Sequence, residues 1–223
     1  MNRGATPFRG VVFDLDGTLI DTMSFVVDGL ATVVARYRQR PSPEEVMRKL
    51  GGPSDACLRS LLGGRRHLTE ALAMYLEFLR KNEGRMHPFR GARPLVKHLM
   101  DAPVRLGIWT GRERNSTLER LEAVSWERCF SPIVCGDDLD SHKPDPEGLL
   151  KIVHSWRLKP HEVLFVGDSD QDIGGGRAAG VPIVVIGHGR RIAASLLRYP
   201  LAVSARPAEA YALIRKLVLD GRG

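Results

Sequence analysis

From residue 88 onward the chain alternates two kinds of segment, and only one broad class of fold accommodates that alternation. Short, mainly apolar runs fall at 104–109, 133–134, 163–166, 182–186 and 201–203. Between them lie stretches with the apolar spacing of helices, at 92–100, 113–123, from the Asp145-Pro146 cap to about Trp156, 170–179 and 208–219. One further apolar run, within 10–15, stands alone near the start. Strands that are apolar throughout are buried on both faces, and strands separated by helices pair in parallel. The expected core is an α/β fold with a parallel sheet covered by helices on each side.

Between the first apolar run and residue 88 the pattern changes. Residues 24–40 carry helical apolar spacing. Ser42-Pro43-Glu44-Glu45 is a capping box with proline at the first helical position, opening a second helix that ends at Gly51-Gly52-Pro53. Residues 55–62 and 67–83 read as a third and a fourth helix, and no strand is expected between Asp21 and His87. Residues 21–87 are therefore expected to form a small all-helical domain inserted after the first strand, with 1–20 and 88–223 forming the core.

In parallel sheets ligands bind beyond the carboxyl ends of the strands, near the point where strand order reverses. The polar residues that stand out fall there. The first strand leads into Asp14-Leu15-Asp16-Gly17-Thr18, the second into Thr110-Gly111-Arg112, and a later one into Gly167-Asp168-Ser169-Asp170-Gln171-Asp172, with Lys143-Pro144 before a helix. If these strands are neighbours, Asp14, Asp16, Asp168 and Asp172 meet one lysine. Four carboxylates against one ammonium need a cation to relieve them. Oxygen-only ligands without Cys or His favour Mg2+ over zinc. Gly17 and Gly111 are expected to leave N–H groups free for anionic oxygens, and Thr110 to add a hydroxyl. Such a pocket suits phosphoryl transfer. Asp14 and Asp16 flank one leucine, so that one can attack while the other handles protons. A lone DxD or GDxxxD says little, since each is commonly a turn or a helix cap; their order along the chain carries the reading.

Composition narrows the alternatives. With 43% hydrophobic residues in 223, the chain can bury a sizeable core. The formal charge of +7 comes from scattered residues, mostly Arg, whose densest pairs are Arg65–Arg66 and Arg190–Arg191. No nucleic-acid partner is expected from so diffuse a distribution. No apolar run approaches the roughly 20 residues that cross a bilayer, and MNRGATPFRG has no apolar signal segment. Cys57, Cys129 and Cys135 show no CxxC spacing and the histidines no HExxH, which disfavours zinc and disulfides. A reduced cytoplasmic protein, monomer or homodimer, is expected, with the cysteines as small buried hydrophobes.

Taken in order, these segments resemble the haloacid dehalogenase-like hydrolase superfamily. FDLDGTLIDT is similar to its first motif, IWTG to its second, Lys143 in HKPDPEGLL to its third, and VGDSDQDIGGGRAAG to its fourth. The resemblance covers about residues 8–22 and 88–190, and the helical insert stands where that superfamily carries a small helical cap. Within it the chain looks most like the phosphoglycolate phosphatase-like branch, with beta-phosphoglucomutases as the alternative. The resemblance implies a Rossmann-like three-layer core with a mobile cap, acting on a small phosphorylated metabolite. It implies Asp14 as the nucleophile that forms an aspartyl-phosphate, and Asp16 as the acid for the leaving alcohol and then the base for water. Magnesium would be held by the Asp14 carboxylate, the Asp16 carbonyl and Asp168, with Asp172 supporting its waters or the lysine. Thr110 and Lys143 would bind the transferring phosphoryl group, a step that needs positioning and charge neutralisation above all. Gly17, Thr18, Gly111 and Arg112 complete the expected substrate-binding set.

Departures from the pattern sort the branches. Dehalogenases of the superfamily typically read DxYGT, and phosphonoacetaldehyde hydrolases have alanine where Asp16 stands; Asp16 favours phosphate esters. The mutases carry an arginine in a cap loop, near where Ser54 stands here, and tend to have Glu-Asp in place of Gly167-Asp168. In the insert, residues 50–55 with Arg48, Lys49 and Arg59 either grip a substrate anion or are solvent-facing helix charges. His142 reads as a loop residue, Gln171 as solvent-facing and Trp109 as strand packing. Asp137 and Asp138 read as loop residues placed to orient Lys143.

Overall fold

The computed structural model describes residues 8–49, 54–82, 86–190 and 192–219. The chain divides into two compact units, Met1–Ile20 with Pro88–Gly223 and Asp21–His87.

The first unit is a Rossmann-like α/β core. Its strands are β1 (Gly10–Phe13), β4 (Arg105–Trp109), β5 (Ile133–Val134), β6 (Val163–Gly167), β7 (Ile183–Ile186) and β8 (Ala202–Ser204), and its helices α5 (Ala92–Met100), α6 (Arg114–Ala123), α7 (Glu147–Ser155), α8 (Asp170–Ala179) and α9 (Pro207–Val218). The sheet order is β5-β4-β1-β6-β7-β8 and every pairing is parallel. β1 is central because Val11, Val12 and Phe13 bury completely. Strand order leaves β1 toward β4 on one side and toward β6 on the other, so the switch point lies at its carboxyl end. Phe13 is level with Ile108 and Val166, which sets Asp14, Trp109–Thr110 and Gly167–Asp168 side by side.

The period of two along each strand sorts residues between faces. Val12, Trp109, Phe165, Ile183 and Val185 share one hydrophobic cluster with Leu149 and Ile152 of α7 and Ile173 of α8. On the other face α5 packs against α9 and β4, and α9 against β7 and β8. Each face is covered, as continuous apolar strands require.

Between its two end residues, the described regular structure of the second unit is helical: α1 (Met23–Val34), α2 (Pro43–Lys49), α3 (Ser54–Leu62) and α4 (Leu68–Lys81). Leu30, Val34, Val46, Leu58, Leu61 and Tyr75 form its core. α1 stops well short of the expected residue 40. Beyond it Tyr37 stacks on His67 at 4.8 Å, Arg38 donates to the Leu61 carbonyl at 2.7 Å, and Arg40 turns back to Asp28 at 2.7 Å. These tertiary partners outweigh helix propensity, which is worth only tenths of a kcal/mol per residue.

Two short strands were not legible as such. β2 (Ile20–Asp21) and β3 (His87–Pro88) form a separate two-stranded sheet. Two residues are too few to display a period. Among the described residues no helix is long and apolar enough to cross a membrane.

Candidate active site

Asp14 follows β1, and its N–H still donates to the Val166 carbonyl at 2.8 Å, extending the sheet by one rung. The side chain is buried and meets Lys143, which arrives on the loop before α7. Lys143 Nζ donates to Asp14 Oδ1 and to Asp172 Oδ1, both at 2.7 Å. The ammonium lies 4.8 Å from the centre of the Trp109 ring and 5.5 Å from that of Phe165. These ring faces favour a cation as well as excluding water. Trp109 is held in turn by Gly148 of α7 and Gly175 of α8, where a Cβ would lie 2.2 and 2.5 Å from the indole. The residue expected only to pack is thus the platform under the lysine.

Asp172 is fixed by the start of α8. Ser169 is the N-cap, accepting the Asp172 N–H, while Asp172 Oδ2 accepts the Ser169 N–H at 2.9 Å, the Ser169 hydroxyl at 2.5 Å and the Asp168 N–H at 3.2 Å. This reciprocal cap leaves Asp172 little freedom. Burial pushes its carboxyl up, but Lys143 and the Ser169 donors outweigh burial and hold it below the usual range. Burial likewise pushes Lys143 down, and Asp14 and Asp172 more than reverse this. The Asp14 carboxyl is pushed up to about 7 by burial, against the pull of Lys143 and with Asp172 adding to the rise. Asp168 is raised well above its ordinary value by burial and by its neighbours Asp14 and Asp172.

Asp14, Asp168 and Asp172 each offer a carboxylate oxygen, and these lie within 4.8 Å of one another. Among the described residues no donor reaches the Asp168 carboxyl, and only Lys143 reaches that of Asp14. Buried carboxylates short of donors and offering oxygen alone suit a hard divalent cation such as Mg2+. Asp172 serves Lys143 and Ser169 with both oxygens, so its part is chiefly to hold the lysine.

The other expected site residues divide. Asp16 does not join the acidic cluster with its side chain: Arg112 binds both carboxylate oxygens, at 2.9 and 2.7 Å, and also reaches Ser116. Gly17 has its N–H on the Ile20 carbonyl at 2.9 Å, so it is not the free donor expected. Its reason for being glycine is different. Its φ is +77°, and a Cβ would lie 2.5 Å from Asp168 Oδ2. Thr18 is fully buried and does not line the site; its carbonyl accepts from the Tyr211 hydroxyl at 2.7 Å. The turn folds back on itself, which consumes the donors of Gly17 and Thr18. The N–H groups of Leu15, Asp16 and Gly111 instead have no acceptor among the described residues. Thr110 accepts the Arg112 N–H at 3.2 Å and keeps its own hydroxyl proton to donate.

Asp137 and Asp138 do not orient Lys143. Asp137 accepts the Arg114 N–H at 2.8 Å at the start of α6, and Asp138 takes the Arg114 guanidinium and the Cys135 N–H. The Arg114 guanidinium holds the Asp138 carboxyl below its usual range. His142 and Gln171 are exposed, as are Arg48, Lys49 and Arg59, while residues 50–53 and Arg191 lie outside the described residues. The three cysteines are free thiols. Three residues outside every motif hold the loops from behind. His188 contacts the Gly17 carbonyl, Arg190 the Asp168 carbonyl and Tyr211 the Thr18 carbonyl. His188 and Arg190 are single polar residues in a loop, with no period or spacing by which to find them, and Tyr211 reads as one more core residue of α9.

Comparison with known proteins finds chains of similar sequence and fold. The family model of haloacid dehalogenase-like hydrolases matches residues 11–186. The pyrophosphatase PpaX of Halalkalibacterium halodurans is 31% identical over 183 residues, covering 81% of this chain and 84% of that protein. Phosphoglycolate phosphatase 1 of Pseudomonas aeruginosa is 30% identical over 198 residues, covering 83% and 73%. A Thermotoga maritima crystal structure, provisionally described as a beta-phosphoglucomutase, shares the fold with a TM-score of 0.78 at 23% identity, covering 94% of this chain and all of that one.

Proposed function

The chain belongs to the haloacid dehalogenase-like hydrolases, and we propose that it is a magnesium-dependent phosphatase that hydrolyses a small phosphorylated metabolite through an aspartyl-phosphate on Asp14. The observation that carries this reading is the ammonium of Lys143, shared between Asp14 and Asp172 at 2.7 Å. It occupies one oxygen of Asp14 and leaves the other as the nucleophile.

In the first half-reaction that oxygen attacks phosphorus. An O–P bond to Asp14 forms, the ester O–P bond breaks, and the leaving alkoxide takes a proton from Asp16. In the second, Asp16 takes a proton from water as the water oxygen attacks, and the bond to Asp14 breaks to release phosphate. Arg112 grips both oxygens of Asp16 in the structure, and must release one of them for Asp16 to deliver and then take up the proton. Lys143, Thr110 and the N–H groups of Leu15, Asp16 and Gly111 supply positive charge and donors to the phosphoryl oxygens. Asp14, Asp168 and the Asp16 carbonyl would hold the metal, which when bound neutralises the carboxylates and polarises the phosphoryl group. The helical unit would act as the cap that excludes water during turnover.

The activities named for the relatives put phosphoglycolate and pyrophosphate first in a substrate panel, followed by sugar phosphates. A mutase is disfavoured at Gly167, where a Cβ would lie 2.5 Å from Asp172; the glutamate that the mutases tend to carry there has no room beside the lysine's partner. The test is phosphate release from this panel with Mg2+, with Asp14→Asn alongside. Release by the wild type that EDTA and Asp14→Asn both abolish is expected. A folded wild type that releases nothing, yet isomerises a sugar phosphate when given a bisphosphate, would establish the mutase instead.

A further inference from the structure

The turn after β1 and the loop after β6 must keep a set separation for Asp14 and Asp168 to share a cation, yet the sheet does not set it. The last rung between the two strands is the Asp14 N–H on the Val166 carbonyl. Beyond it, among the described residues, no backbone hydrogen bond joins residues 15–18 to residues 167–169. They approach closely all the same, with Gly17 against the Asp168 carboxylate.

One segment touches both. Residues 187–190 follow β7, and His188 Nε2 lies 2.7 Å from the Gly17 carbonyl. A carbonyl only accepts, so this nitrogen carries the proton and donates. His188 holds a left-handed backbone, φ +49°, and its ring packs on Phe89 with centroids 5.4 Å apart. Two residues on, the Arg190 guanidinium places both Nε, at 2.9 Å, and a terminal nitrogen on the Asp168 carbonyl. Its other terminal nitrogen reaches Asp170 at 3.1 Å. A charged fork on a neutral carbonyl is a stronger tether than an amide would be.

We propose that His188 and Arg190 are positioning residues, a brace on one loop that fixes the spacing between the Gly17 turn and the Asp168 loop and thereby the affinity of the carboxylates for Mg2+. The inference rests on the reading of Asp14 and Asp168 as the cation-holding pair. His188 acts through the carbonyl it holds, and Arg190 through its carbonyl and through its charge, which also pulls on the Asp168 carboxyl. Partners one step behind a metal site commonly change affinity by 10- to 100-fold when removed.

The test measures Mg2+ binding by calorimetry, together with the rise in Tm that Mg2+ produces, in the full chain. His188→Leu and Arg190→Ala are each expected to weaken Mg2+ binding about tenfold, while the metal-free Tm moves little. His188→Gln keeps an N–H donor and is expected to recover most of the affinity. Unchanged Mg2+ affinity in folded His188→Leu and Arg190→Ala overturns the brace, even if the metal-free Tm falls, because that pattern marks a merely structural contact. Failure of His188→Gln to recover affinity overturns the hydrogen bond as its cause. If His188→Leu does not fold, Arg190→Ala decides on the opposite loop. A wild type that hydrolyses the ester without binding Mg2+ removes the cation reading itself, which the variants would not do.

Discussion

Gly17 faces the Asp168 carboxylate so closely that a Cβ on Gly17 would stand 2.5 Å from Asp168 Oδ2. Two independent constraints meet at this one residue, since its φ of +77° is also one that L side chains rarely adopt. Gly17→Ala is expected to destabilise the protein by about 1–3 kcal/mol through backbone strain, and to displace Asp168 as well. Thermal unfolding with and without Mg2+ reads both effects. A variant that keeps full Mg2+ stabilisation would show that Asp168 is not held against this turn.

Lys143 is the only cation bonded to the buried carboxylates Asp14 and Asp172 among the described residues. Lys143→Met removes one partner of a buried charge cluster, a change that costs about 3–5 kcal/mol. Phosphate release is expected to vanish with it. Chemical denaturation of the metal-free protein measures the first effect and the phosphate assay the second. Stability equal to the wild type would mean that the two carboxylates find other partners.

The acidic cluster predicts a pH dependence with a definite sign. In the unfolded chain Asp14 titrates at its ordinary value of 3.8, and in the folded metal-free protein at about 7. Between these values the folded state holds a proton that the unfolded state releases, so metal-free stability falls as pH rises through that window. A cation among the same oxygens competes with the proton. Mg2+ should therefore raise the Tm more at pH 8 than at pH 5. An equal rise at both would place the metal elsewhere.

Asp138 offers a contrast, because in sequence it reads as a loop residue placed to orient Lys143 and in space it serves Arg114. Asp138→Asn is expected to lower stability by about 1.5–3 kcal/mol, the range for hydrogen bonds to charged groups, and to leave turnover unchanged. A fall in turnover without loss of stability would restore it to the site.

Trp109 links packing to chemistry. Gly148→Ala would place a methyl 2.2 Å from its Nε1 and push the ring from beneath Lys143. The overpacking should cost about 1–3 kcal/mol and turnover should fall as well. Melting temperature and turnover measured on the same sample test whether the two move together.

How much could be read from the chain alone differs by element. The alternating apolar runs are long enough to show their period, so the helices and the larger strands of the core were legible. β2 and β3 were not, and α1 outran its true end because Tyr37, Arg38 and Arg40 find partners distant in sequence. At the site, Asp14 and Asp168 stood out because each follows a buried strand directly, and Lys143 because it falls in order between those strand ends, just before a helix. Thr18 and the N–H of Gly17 were misread, since the path of the turn decides which donors it spends on itself.

The sequence by itself determined a parallel α/β core, a helical insert and a set of carboxylates with one lysine, because composition and period are local properties that sum along the chain. Only the tertiary structure decided which oxygen each donor takes. Lys143 pairs with Asp14 and Asp172, Arg112 with Asp16, and Arg114 with Asp138. The same structure places His188 and Arg190 behind two loops that no motif connects them to. Hydrogen bonds act over about 3 Å, and the chain brings such partners within that range only once the sheet has placed its strand ends side by side.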